Sequence, residues 1–183
     1  MKNIAIFASG SGTNAENIAR YFTNSENVNV AVVLSNNRNV GVHGRVNKLG
    51  VPSFVFSREE FIAGVPILEK LAEYDVCLIV LAGFMNKISD VILQAFPGKI
   101  VNIHPALLPK YGGKGMHVHE AVVKAGERES GITIHYINEH YDEGAIIFQA
   151  SCPVLPSDTP EEVASKVHAL EYAHYPHVIE SLL

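Results

Sequence analysis

Asn102-Ile103-His104-Pro105 places a neutral amide and an imidazole two residues apart at the end of an apolar run. On a strand such residues share a face, so both are predicted to reach one cleft. The amide is a hydrogen-bond donor and the imidazole titrates near neutral pH. That pair suits acyl transfer, in which an amine attacks a carbonyl, Asn102 steadies the charge growing on its oxygen, and His104 handles protons. The alternative is structural, with Asn102 forming a turn and His104 satisfied by an ordinary hydrogen bond. Asp142, in Glu139-His140-Tyr141-Asp142-Glu143-Gly144, supplies a carboxylate that favours the charged imidazole if its loop returns to the cleft. An Asx turn ahead of Gly144 is the other reading of the same residue.

A second run, Ala8-Ser9-Gly10-Ser11-Gly12-Thr13-Asn14, follows the first apolar segment and opens a helix, with Thr13 and Glu16 at capping-box spacing. Unpaired backbone N–H groups and a helix dipole end of roughly half a charge make such a loop a seat for phosphate. Gly10, Gly12 and Ala15 satisfy the literal G-x-G-x-x-A dinucleotide pattern. Ser35-Asn36-Asn37-Arg38, however, lacks the acidic residue expected after the second strand, and no lysine follows Gly12 as a Walker loop requires. A tight strand-to-helix turn without a ligand is the alternative.

The elements that must hold these runs alternate. Apolar segments at 4–7, 28–34, 51–56, 76–82 and 100–103 read as strands, and helical patterns fall at 14–22, 42–49, 59–73, 90–96 and 119–124. Val76 to Leu81 is apolar on both faces, as a central strand covered by helices on two sides must be. The fold class is therefore α/β: an open, mostly parallel sheet with helices on both faces, presenting its ligands at the carboxyl edge of the strands. Beyond His119 the rhythm changes and the alternation is less clean. Segments 131–137 and 145–154 are predicted to be adjacent strands separated by the turn-rich 138–144. A long closing helix starts at Thr159, with Pro160 at its first position and Glu162 completing a capping box.

Composition narrows the function. At 183 residues the chain fits one domain able to bury roughly 70% of its unfolded surface. A net charge of -5 without a basic run argues against nucleic acid as a partner. Cys77 and Cys152 suggest neither a disulfide framework nor a zinc site, and no apolar run reaches membrane-spanning length or resembles a signal peptide, so a cytoplasmic location is expected. His117-Val118-His119 raises a metal-dependent hydrolase, but no third ligand at a recognised spacing accompanies the pair, and no metal is expected. A nucleotide-binding module without catalysis rests on the glycine loop alone.

Ser9 to Asn14, Leu81-Ala82-Gly83-Phe84-Met85, Asn102 to Pro105 with Leu107-Leu108-Pro109-Lys110-Tyr111, and Asp142-Glu143-Gly144 together resemble the phosphoribosylglycinamide formyltransferase family, in order and over nearly the whole chain. The resemblance implies direct formyl transfer from formyltetrahydrofolate, a co-substrate, to phosphoribosylglycinamide, with Asn102, His104 and Asp142 catalytic. It implies that Gly12, Thr13 and Asn14 hold the substrate phosphate and Glu171 its ribose, and that Arg58, Met85, Asn86, Lys87, Ile88 and Asn102 meet the folate. Residues 1–183 are then one formyltransferase domain, 1–100 the phosphate-binding half and 101–183 the catalytic and folate-facing half, acting as a monomer or weak homodimer. Asn86 stands where the bacterial pattern has arginine, His168 where it has glutamine, and the chain stops soon after the final helix. Related folate enzymes (formyltetrahydrofolate hydrolase, methionyl-tRNA formyltransferase, sugar-amine formyltransferase) share the chemistry; the first two are expected to need an additional domain.

Overall fold

The five early apolar runs become parallel strands: β1 (Lys2–Phe7), β2 (Val28–Ser35), β3 (Ser53–Val55), β4 (Val76–Leu81) and β5 (Ile100–His104). The later pair, β6 (Glu129–Tyr136) and β7 (Ile146–Pro153), add antiparallel to give one seven-stranded sheet in the order β3-β2-β1-β4-β5-β6-β7. This is a computed structural model, and it describes residues 1–112, 117–140 and 143–183. The helices are α1 (Thr13–Phe22), α2 (Gly41–Asn47), α3 (Arg58–Ala63), α4 (Val65–Glu73), α5 (Asp90–Ala95), α6 (His117–Lys124) and α7 (Pro160–Ser181).

Strand alternation sorts the core into two layers. Ile4, Ile6, Val30, Val80 and Val101 pack with Ile18 of α1, Val122 of α6 and Val167 of α7. Ala5, Phe7, Val32 and Ile79 face the other way, onto Phe61, Leu71 and Ile92 of α3, α4 and α5. Each buried aliphatic or aromatic side chain contributes about 1.5–3 kcal/mol, so the sheet is held from both sides, as the doubly apolar 76–81 run requires. The two edges differ: β3 has three residues, whereas β7 has eight and ends at Pro153, whose carbonyl accepts from Lys166 Nζ at 3.2 Å.

Local chemistry accounts for three departures from the sequence reading. The helix expected over 59–73 is two helices, because Gly64 takes a φ of 77° at their junction and Pro66 lies in the first turn of α4. Thr13 and Glu16 form no capping box: Gly12 is the N-cap, and the Glu16 carboxylate turns to Arg20 at 2.8 Å and Arg45 at 2.7 Å. Residues 131–137 alternate more cleanly than expected, with Ile132 and Ile134 in the first core layer and Thr133 and His135 on the opposite face. The closing helix starts as predicted, Thr159 and Glu162 exchanging both capping-box bonds.

α7 also contains Pro176, which lacks the N–H that the carbonyl of Tyr172 would otherwise receive. Asn17 of α1 fills that place, its Nδ2 donating to the Tyr172 carbonyl at 3.1 Å. Further along, Tyr21 meets His177 and Glu180, so α1 and α7 run in the same sense. The turn of α7 carrying His168 and Glu171 consequently lies at the level of the first turn of α1, near the carboxyl edge.

Candidate active site

Strand order reverses direction at β1, since β2 follows it on one side and β4 lies on the other, and the crevice of an open α/β sheet opens at such a point. The loops after β1 and β4 meet there: Ser9 N–H donates to the Gly83 carbonyl at 3.1 Å, and Met85 N–H to Ser9 Oγ at 2.9 Å. Gly12 has a φ of 76°, and a Cβ on it would lie 2.4 Å from Val42 Cβ. No side chain caps α1, whose first helical bond runs from Glu16 N–H to the Gly12 carbonyl. The preceding N–H groups of Thr13, Asn14 and Ala15 thus stand at the positive helix end without a capping side chain. The buried Asn14 Oδ1 has no hydrogen-bond partner among the described residues. Gly12→Ala is expected to cost about 1–3 kcal/mol through strain and overpacking, read as a lowered thermal midpoint. An unchanged midpoint would show that the loop tolerates a Cβ.

On α7, Glu171 is 9% exposed and one turn ahead of the buried Tyr175, whose hydroxyl donates to the Leu81 carbonyl at 2.9 Å and the Val101 carbonyl at 3.3 Å. Burial alone raises the Glu171 carboxyl to about 7. It is therefore no solvated helix face. His168, which stands in the same stretch of α7, and His119 of α6 have ring centroids 6.3 Å apart, and burial pushes both pKa values down, favouring neutral rings. His119 Nδ1 is buried without a partner among the described residues, whereas the His117 side chain is 89% exposed and faces Glu120. The two histidines of that pair thus point apart, and among the described residues no three His, Cys, Asp or Glu side chains are grouped as metal ligands.

Asn102 and His104 continue the face of β5 that carries Ile100, at its end nearest the carboxyl edge, opposite His135 and Thr133 in register on β6. His135 Nδ1 lies 3.0 Å from the Tyr136 carbonyl. A carbonyl only accepts, so Nδ1 bears the hydrogen and Nε2 of the neutral ring accepts from Asn102 Nδ2 at 3.2 Å. That contact fixes the orientation of the amide and leaves its second N–H for another acceptor. His104 is buried, its Nε2 2.7 Å from the Tyr111 carbonyl. Thr133 Oγ1 donates to the Ala106 carbonyl and accepts from Leu108 N–H, fastening the turn after β5. Asp142 lies outside the described residues.

Asn102 also lines a narrow cleft of about 30 Å³ between Phe84, Asn86, Lys87 and Ile88 on one wall and Ile137 and His140 on the other. The sequence reading placed Asn86, Lys87, Ile88 and Asn102 together, and the structure does so. Met85 and Arg58, the latter opening α3, are not among its lining residues. His135, Ile137 and His140 were missed. The alternation Ile132-Thr133-Ile134-His135 was the available signal, since a histidine on the non-aliphatic face of a strand beside Asn102 has to be accounted for chemically.

An uncapped helix start and an amide and imidazole on the next-but-one strand, all at one sheet edge, make the arrangement expected of a group-transferring enzyme of the α/β class. Residues 2–179 match the model of the family described as formyl transferase. The phosphoribosylglycinamide formyltransferase of Bacillus subtilis is 37% identical, covering 100% of this chain and 95% of its own length, and that of Haemophilus influenzae is 38% identical, covering 98% and 86%. The solved glycinamide ribonucleotide transformylase 1 of Geobacillus kaustophilus superposes with a TM-score of 0.93 at 36% identity, over 100% of this chain and 99% of that one. The chain belongs to the formyl transferase family, and the relatives it matches from end to end are phosphoribosylglycinamide formyltransferases.

Proposed function

We propose that this chain transfers a formyl group from formyltetrahydrofolate to the amine of phosphoribosylglycinamide, a step of purine synthesis. The observation that carries the reading is the end-to-end match to phosphoribosylglycinamide formyltransferases, with Asn102 and His104 at the carboxyl edge beside a first helix turn that no side chain caps. The folate serves as co-substrate, supplying an electrophilic formyl carbon. Its fit rests on the cleft's apolar walls, Phe84 and Ile88, and on the polar groups of Asn86 and Asn102 at its rim. Arg58, Met85 and Lys87 complete the proposed folate contacts.

In this reading Gly12, Thr13 and Asn14 hold the substrate phosphate and Glu171 its ribose, leaving the amine beside the formyl carbon. As the new C–N bond forms, Asn102 Nδ2 and the imidazolium of His104 stabilise the oxyanion. As the formyl carbon's bond to the folate nitrogen breaks, His104, whose charged form Asp142 favours, gives its proton to that departing nitrogen and regains one from the proton the amine loses. Residues 1–100 supply the phosphate seat, 101–183 the catalytic trio, and one chain, as monomer or weak homodimer, holds a whole site.

A formyl-transfer assay offering glycinamide ribonucleotide, with donor hydrolysis measured in parallel, is expected to show transfer far ahead of hydrolysis. Hydrolysis without transfer would assign the chain to the related hydrolase chemistry instead.

A further inference from the structure

His104 is held by a segment that none of the roles above uses. After β5, residues 105–111 lie over β6, and the base of this strap is fastened twice: through Thr133 Oγ1 to Ala106 and Leu108, and through Gln149 Nε2 to the Leu108 carbonyl at 3.0 Å. Its tip is Tyr111, which takes a φ of 56°, a left-handed conformation that a residue with a Cβ rarely adopts. The Tyr111 carbonyl meets His104 Nε2 at 2.7 Å. On the other side the Tyr111 phenol donates to Glu127 Oε1 at 2.9 Å, and Lys110 Nζ reaches the same carboxylate at 3.3 Å. Glu127 is itself anchored behind α6, its N–H donating to the Val122 carbonyl.

We propose that Tyr111 is a positioning residue for His104, its carbonyl holding the ring with Nε2 protonated and its phenol–Glu127 bond holding that carbonyl in place. A carbonyl has no proton to give, so the contact exists only while Nε2 carries hydrogen. It can be made by both the neutral ring and the imidazolium, more strongly by the latter, which leaves proton exchange to Nδ1. Ring orientation is then set from outside the cleft, by a tyrosine and a glutamate that are not among the residues lining it. The inference rests on the proposed role of His104, but its first readout does not depend on turnover.

The test is an NMR spectrum of the intact protein labelled with ¹⁵N-histidine, the His104 ring being assigned by its loss in His104→Gln. Wild type is expected to show a slowly exchanging Nε2–H. Tyr111→Phe and Glu127→Ala should speed that exchange and lower kcat about 10- to 100-fold with KM within about twofold, as misplacement of one catalytic group does. Glu127→Gln, whose amide oxygen still accepts from the phenol, should keep both near wild type. A wild-type ring protonated only at Nδ1 overturns the proposal, as does Tyr111→Phe with unchanged exchange and kcat. If wild type fails to formylate the ribonucleotide, the NMR arm still decides the positioning claim, and only the functional reading falls.

Discussion

Asn102→Ala is expected to lower kcat by about 10²- to 10³-fold, and His104→Gln by about 10²- to 10⁴-fold, in the formyl-transfer assay. The first figure is what one preorganised oxyanion donor contributes, and Asn102 is preorganised: His135 Nε2 engages one N–H of its amide and so aims the other. The second is what a general acid–base of fitting pKa contributes. Both groups act on one transition state, so their effects should not add, and the double variant should be little worse than the poorer single one. Because neither replacement removes a member of the two hydrophobic core layers, the fold should persist, which circular dichroism checks. Steady-state rates within tenfold of wild type for both variants would remove the catalytic assignment.

Glu171→Gln should do two opposite things. The native carboxyl keeps its proton up to about 7, whereas the unfolded chain releases it near 4.5. Between those values the native state binds more protons, so stability is fully present below 4.5 and falls as pH rises through about 7, by about 3 kcal/mol in all. The amide carries no such dependence. Above pH 7 the variant should therefore melt higher than wild type, and the gap should close toward pH 4.5. The same change should raise KM for the ribonucleotide about 10- to 100-fold, the worth of a hydrogen bond to a charged group. A buried carboxylate retained at a cost to stability is what a binding role predicts. Melts at pH 5 and pH 8 with equal wild-type-to-variant differences, together with an unmoved KM, would refute both halves.

What the sequence revealed followed periodicity and punctuation. The 76–81 run announced a strand covered twice, Thr159-Pro160 announced a helix start, and the spacing of Asn102 and His104 put them on one face, all from local rules that the structure keeps. What it hid depended on distant partners. Glu16 sits at capping-box spacing from Thr13, yet Arg45, from a different helix, competes for its carboxylate. Nothing local to Glu171 foretells its burial, which comes from the packing of α7 against the sheet near Tyr175. The long closing helix is expected from the sequence, but that Asn17 of α1 supplies the donor missing at Pro176 depends on a partner distant in sequence. Tyr111 belongs to a recognisable run, Leu107 to Tyr111, but its grip on His104 arises from a backbone carbonyl, which no side-chain pattern encodes.

The two rims of the sheet bear on how the molecule behaves when crowded. Open sheets extend laterally when an outer strand offers a long, unblocked row of amides and carbonyls to a neighbour. Here one rim offers only Ser53–Val55, whereas the other is eight residues long and ends on a proline whose oxygen Lys166 already occupies. Strand-by-strand growth into fibres or precipitate thus finds little template at the short border, and at the long one it cannot run past Pro153.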